Sequence, residues 1–232
     1  MKKLEFNVIA IVVLLFAISG LQAQECEFFV PSKVGSKLKY ENFDKKDKLT
    51  GSTVQTVIAN NVIDGVQTVK LRNEYYAPDT DTAFVRELSF KCINGEFVVD
   101  MQSYISENTL TPYSGMETKI DVDNLSIPAK MSVGQVLGNG KVDLTVFNNG
   151  MKLITISVNV KNRKVEAIED ITTPAGTFEA YKITYDLETK MLFTIKSKSA
   201  EWYVNDIGAV RTETYNKKGK LTSYTVLTEY KK

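Results

Sequence analysis

Apolar and polar residues alternate along much of this chain in short runs, and turn chemistry breaks the runs at intervals. Tyr181, Ile183, Tyr185 and Leu187 alternate with Lys182, Thr184 and Asp186, and Tyr224, Val226 and Tyr230 stand opposite Ser223, Thr225 and Glu229. A period of two places one set of side chains on a core and the other in water, as antiparallel strands require. Three dipeptides mark hairpins. Asp64-Gly65 separates Thr53 to Ile63 from Val66 to Tyr75, Asn94-Gly95 separates Ala83 to Ile93 from Glu96 to Ile105, and Asn149-Gly150 separates Val142 to Phe147 from Lys152 to Val160. A type I′ turn needs positive φ at both central residues, which Asn or Asp followed by Gly provides at little steric cost.

The C-terminal third bends at Pro174-Ala175-Gly176, at Asn205 to Gly208 and at Lys217-Lys218-Gly219. In the first of these, Pro174 fixes φ, Gly176 takes a positive-φ position and Phe178 starts the next strand on its buried face. That turn then sets the register of Tyr181, Ile183 and Tyr185. No window of helical length combines apolar i, i+3, i+4, i+7 spacing with caps, so helices are expected to be few and short. The prediction is an all-β fold, a curved antiparallel sheet of about 10 to 12 strands that twist bends into a half-barrel, a barrel or two packed sheets. The stretch from Glu107 to Pro128 is rich in Asn, Thr, Ser and Pro, and reads as a long crossing loop between two halves.

The first 23 residues break the alternation. Lys2 and Lys3 precede an apolar run from Val8 to Ile18, which gives way to Ser19-Gly20-Leu21-Gln22-Ala23. That order is a secretory leader cut after Ala23, since the run is well short of the ~20 residues that a spanning helix needs. Cys26 follows Glu25 rather than a small residue, so the context of a lipidated cysteine is missing. The expected organisation is a leader at 1–23 and one antiparallel β domain at 24–232, with no second long apolar segment. The expected location is the periplasm or the outside of the cell. There Cys26 and Cys92 meet an oxidising compartment, in which a pair tends to bridge. A bridge needs Cα atoms ~4.4 to 6.8 Å apart, and the alternative is two separate thiols.

Charge narrows the partners. The chain has 29 basic and 28 acidic residues, and its lysine pairs at 45–46, 217–218 and 231–232 are scattered, so no basic stripe points to nucleic acid. The sequence contains no histidine, which removes imidazole-based triads, histidine-ligated zinc and histidine-held haem. Two cysteines are too few for a four-cysteine site, and no Gly-rich phosphate loop occurs. Asp79-Thr80-Asp81 and Asp121-Val122-Asp123-Asn124 do not continue into the glycine and distal glutamate of a calcium loop. No catalytic residue, cofactor or metal site is therefore assigned.

Several segments resemble the TapB-like family of exported bacterial β proteins, relatives of a larger group of uncharacterised envelope proteins. They are Cys26 with Phe28-Phe29-Val30-Pro31 and Gly35, then Leu38-Lys39-Tyr40 running into Asn42 to Lys46, and Cys92-Ile93-Asn94-Gly95 with Val99-Asp100-Met101. Further on come Thr173 to Phe178 leading to Tyr181-Lys182-Ile183, and Glu201-Trp202-Tyr203 with Gly208 to Arg211. Asp47 departs from the glycine that this resemblance leads one to expect in its turn. The resemblance implies an exported, curved antiparallel sheet and carries no catalytic or ligand-binding residue with it.

The function expected from these features is that of a non-enzymatic binding or accessory protein of the cell envelope. A special case is a carrier or sensor of a lipid-like ligand in the concave face, with Phe97, Val99, Met101, Phe193, Ile195 and Trp202 as candidate lining. The competing expectations are an interior filled by its own side chains, a surface adhesion or structural role, and a hydrolase working with paired carboxylates. The partner is either a lipid-like small molecule or another envelope protein; its identity is not written in the residues.

Overall fold

The computed structural model describes residues 27–105, 109 and 111–232. The expected leader and Cys26, one half of the expected bridge, lie outside the described residues. The protein is one thirteen-stranded antiparallel sheet. Its strands are β1 (Lys37–Asp44), β2 (Leu49–Ile63), β3 (Val66–Tyr76), β4 (Ala83–Ile93), β5 (Glu96–Val99), β6 (Glu117–Asp123) and β7 (Leu125–Pro128). They continue as β8 (Gly140–Asn148), β9 (Met151–Thr173), β10 (Gly176–Lys190), β11 (Thr194–Val204), β12 (Gly208–Asn216) and β13 (Leu221–Lys231). Among the described residues, helical turns occur only between Met101 and Tyr113.

The three hairpin dipeptides adopt the backbone their chemistry favours, with φ of 52° and 77° at Asp64-Gly65, 54° and 78° at Asn94-Gly95, and 50° and 76° at Asn149-Gly150. Gly176 has φ 139° at the start of β10. Asp47 takes φ 60°, the left-handed region that glycine would fill more easily, and its carboxylate accepts the Tyr224 hydroxyl at 2.8 Å.

The sheet runs β6-β8-β9-β10-β11-β12-β13-β1-β2-β3-β4-β5-β7, so its two edge strands are β6 and β7. Only Asn124 separates them in sequence. Residues 117–123 pair with β8, from Glu117 opposite Phe147 to Asp123 opposite Lys141, and residues 125–128 pair with β5, from Leu125 opposite Val99 to Pro128 opposite Glu96. One nearly continuous strand therefore serves both edges, and the sheet closes into an almost complete barrel. The expected crossing loop is in this stretch a pair of strands. Its pattern hid them because all seven residues of β6 are exposed and carry charge at every second position, while β7 has only four residues and ends in proline.

The seam is held from inside. Arg163, 3% exposed on β9, donates to the carbonyl oxygens of Ser126 on β7 at 2.9 Å and Gly138 at 2.8 Å. Asn124 accepts the Met101 amide at 3.0 Å through Oδ1, which fixes the residue where the strand changes partner. Leu125, Ile127, Val142, Leu144 and Val160 bury their side chains beneath the seam.

Because neighbouring strands are all antiparallel, their ends alternate between two rims. The turns at 45–48, 77–82, 191–193 and 217–220 share the first rim with residues 100–105 and 111–116. The turns at 64–65, 94–95, 174–175 and 205–207 share the second rim with residues 27–36, and these residues plug it. Phe29 meets the rings of Phe97, Tyr181 and Tyr203 edge-on, and the Phe28 carbonyl accepts the Asp206 amide at 2.7 Å. Gly208 makes room for the plug: a Cβ there would lie 2.9 Å from the Phe29 carbonyl oxygen, and its φ is 111°.

A second, smaller cluster joins the tip of the β9–β10 hairpin, through Ile171 and Phe178, to Leu38, Trp202, Val210 and Leu227.

The seam leaves no space at Gly140, where a Cβ would stand 2.4 Å from Leu125 Cδ2 and 2.9 Å from Met101 Sδ, both side chains being buried. Gly140→Val is expected to lower the unfolding free energy by ~1 to 3 kcal/mol through overpacking. Gly138→Ala, with nothing within 4 Å of the added carbon, is expected to stay within ~0.5 kcal/mol of the native protein. Chemical denaturation of the two variants checks both values.

Candidate functional site

The barrel interior is not packed throughout. Between the plug and the first rim lies a cavity of about 320 Å³, near the lower bound of the ~300 to 1,000 Å³ typical of small-molecule sites. Its walls come from both ends of the chain because β13 pairs with β1. β2 and β3 contribute Gln55, Leu71 and Asn73, β4 and β5 contribute Phe90 and Phe97, and β11 contributes Glu201 and Tyr203. Tyr75, 36% exposed and stacked on Phe84, stands where the lining reaches solvent toward the first rim. Phe90 and Phe97 stack at 5.4 Å with their planes 8° apart, which makes a flat aromatic wall.

The inward positions follow from register. Gln55 faces Asn73 across β2 and β3, and Thr53 faces Tyr75; Glu201 faces Ile183 on β10 and Thr212 on β12. Trp202, next to Glu201, is directly opposite Lys182 and belongs to the second cluster. Its indole N–H donates to Glu169 Oε1 at 2.8 Å, and the Lys182 ammonium lies over its ring.

Of the residues expected to line a cavity, Phe97 and Val99 do so. Met101 is fully buried at the seam, and Trp202 packs away from the lining. Phe193 and Ile195 are 71% and 56% exposed, beside Leu192 at 87%. Their hairpin outruns the strand beside it on one side, since β11 joins β12 only from Ser197 onward, and both side chains stay in solvent. Tyr104, Glu201 and Tyr203 were not singled out by alternation, because an inward-facing polar residue looks the same in sequence as an outward-facing one.

These three residues and Tyr185 form a polar network in the apolar interior. The Tyr185 hydroxyl donates to Glu201 Oε1 at 2.7 Å, the Glu201 charge also acts on Tyr203, and the rings of Tyr104 and Tyr185 meet edge-on. Burial, and then the Glu201 carboxylate, push Tyr104, Tyr185 and Tyr203 well above the usual phenol range. The Arg163 charge opposes this at Tyr104 and Tyr203. Arg86 donates to the carbonyls of Gln102 at 2.8 Å and Ile105 at 3.0 Å, and so holds the segment that carries Tyr104. Cys92 is half-buried against the core on β4. Among the described residues, no helix is long and apolar enough to cross a membrane.

The model of the DUF3108-like family matches residues 33–227, a span that takes in β1 to β12 and the first part of β13. The chain belongs to the DUF3108-like family. Two solved structures share its architecture. One, from Bacteroides fragilis, is described as "a putative exported protein with YmcC-like fold"; it has a TM-score of 0.73 and 25% identity, covering 89% of this chain and 100% of that one. The other, "a putative lipoprotein" from Parabacteroides distasonis, has a TM-score of 0.73 and 26% identity with the same coverage. No curated protein matches the chain. The DUF3108-like membership and these likenesses support the all-β barrel and assign no chemistry to its interior.

The network has a consequence at alkaline pH. A raised phenol pKa means that the folded protein keeps protons which the unfolded chain gives up, so unfolding releases protons and alkali favours it. Stability is therefore expected to be full below about pH 10 and to fall as pH rises further. Tyr185→Phe is expected to lower stability at neutral pH by ~1 to 2 kcal/mol, by removing a bond to a charged acceptor, and to flatten the alkaline fall. Melting temperatures measured across the alkaline range check both effects.

Proposed function

We propose that this protein is an exported, non-enzymatic binding protein of the cell envelope that holds one small apolar molecule inside its barrel. The observation that carries the reading is the cavity itself, an aromatic-walled space of about 320 Å³ left unfilled between a plugged rim and an open one. A packed interior normally leaves few voids larger than a water molecule, so a space of this size in an otherwise close-packed barrel favours an occupant. The leader-like first 23 residues and the names of the two structural neighbours favour export. The resemblance of its N-terminal and turn segments to TapB-like proteins fits the same compartment.

The 320 Å³ limits the occupant to a single molecule of modest size, and Phe90 and Phe97 would lie flat against it. The plug at Phe28 and Phe29 closes the far end, so entry would be from the first rim, past Tyr75.

An uncharged phenylnaphthylamine dye, which brightens in apolar surroundings, tests the proposal. Saturable binding of one dye per chain is expected. Thr212→Trp projects an indole into the cavity from β12, and is expected to weaken the dye by on the order of tenfold or more while leaving the melting temperature within a few degrees of the native value. Non-saturable binding, or affinity unchanged in a folded Thr212→Trp, would sink the reading.

A further inference from the structure

We infer that the cavity selects a molecule with a positively charged amine on an apolar body, and disfavours the carboxylate of a fatty acid. The inference rests on the proposed binding reading and specifies its ligand. Among the described residues lining the cavity, Glu201 is the one charged side chain. Its carboxylate accepts the Tyr185 hydroxyl and takes part in no ion pair among the described residues. The two arginines that face this region are engaged elsewhere: Arg163 spends its donors on the carbonyls of Ser126 and Gly138, and Arg86 on those of Gln102 and Ile105.

A half-buried carboxylate that faces a largely apolar cavity without a cation partner attracts a positive charge and repels a negative one. The ring faces around it add to this preference, since aromatic faces attract cations and Phe90, Phe97, Tyr104 and Tyr203 share the lining. Asn73 supplies a second acceptor. It is 1% exposed, its amide nitrogen donates to the Tyr75 hydroxyl at 3.2 Å, and its Oδ1 has no hydrogen-bond partner among the described residues. Buried acceptors are rarely left alone. A primary or secondary ammonium brings N–H donors to acceptors of this kind, whereas a quaternary ammonium or a carboxylate brings none. The apolar body would then lie along Phe90, Phe97, Leu71 and Leu88.

The test compares decylamine, decanol and decanoate at neutral pH by titration calorimetry, below their aggregation limits, on the native protein and on Glu201→Gln. On the native protein, decylammonium is expected to bind on the order of tenfold more tightly than decanol, with decanoate weakest. In Glu201→Gln the advantage of the amine over the alcohol is expected to fall to about twofold or less, since the side chain keeps its shape and loses its charge. Should that variant not fold, the ranking on the native protein decides alone. Decanoate binding as well as decylammonium, or an amine preference that survives Glu201→Gln, overturns the inference. If none of the three binds while the neutral dye still saturates, the head-group inference falls and the cavity reading stands; if the dye also fails to bind, both fall.

Discussion

Everything in this barrel depends on one strand that changes partner. Residues 117–123 hydrogen-bond to β8 and residues 125–128 to β5, so both edges of a thirteen-stranded sheet are built from a continuous stretch of chain hinged at Asn124. A sheet of this size twists and curls whatever its sequence, but curling alone leaves two open edges. Here the covalent chain brings those edges within one residue of each other. The buried Arg163 then joins β9 to the carbonyl of Ser126, and supplies donors where the short strand β7 has no further ladder partner.

Closure determines what the interior can be. With the seam shut and Phe28 and Phe29 wedged into the second rim, the cavity lining reaches solvent toward the first rim, at Tyr75. The pairing of β13 with β1, together with the curl of the sheet, brings Asn73 from the early hairpins and Glu201 from the late ones to one cavity, although 128 positions separate them in sequence. Arg163 sits at the meeting of the two themes. It fastens the seam, and its charge also reaches Tyr104 and Tyr203 in the cavity wall. The polar network therefore lies next to the mechanical joint of the fold.

Much of this architecture was legible in the sequence, and the parts that were not share a cause. The hairpins at Asp64, Asn94 and Asn149 were readable because positive φ is a local demand that residue type answers directly. The inward alternation of Tyr181, Ile183, Tyr185 and Leu187 was readable for the same local reason. The seam was not, because β6 alternates charged and uncharged residues without burying either face and β7 is four residues long, so neither shows the apolar face that betrays a core strand. Phe97 and Val99 could be placed on one face of a strand, but no local pattern tells whether that face meets a void. Phe193 and Ile195 alternate as well as any core pair, yet their hairpin extends beyond β12 and leaves both exposed. Glu201 was invisible as a wall residue, since an isolated acid between Ala200 and Trp202 gives no sign of which way it points.

Amide hydrogen exchange over β5 and the 125–128 segment is the most direct test of closure by a partner-switching strand. In a closed barrel, the amides of Phe97 to Val99 and of Leu125 to Ile127 exchange at rates comparable with those of the central strands β10 and β11, because each segment is laddered to the other and covered by the core beneath. Rapid exchange in both segments, at the rate of a free sheet edge, with β10 and β11 still protected, would show that the barrel stands open at this seam and would contradict the account.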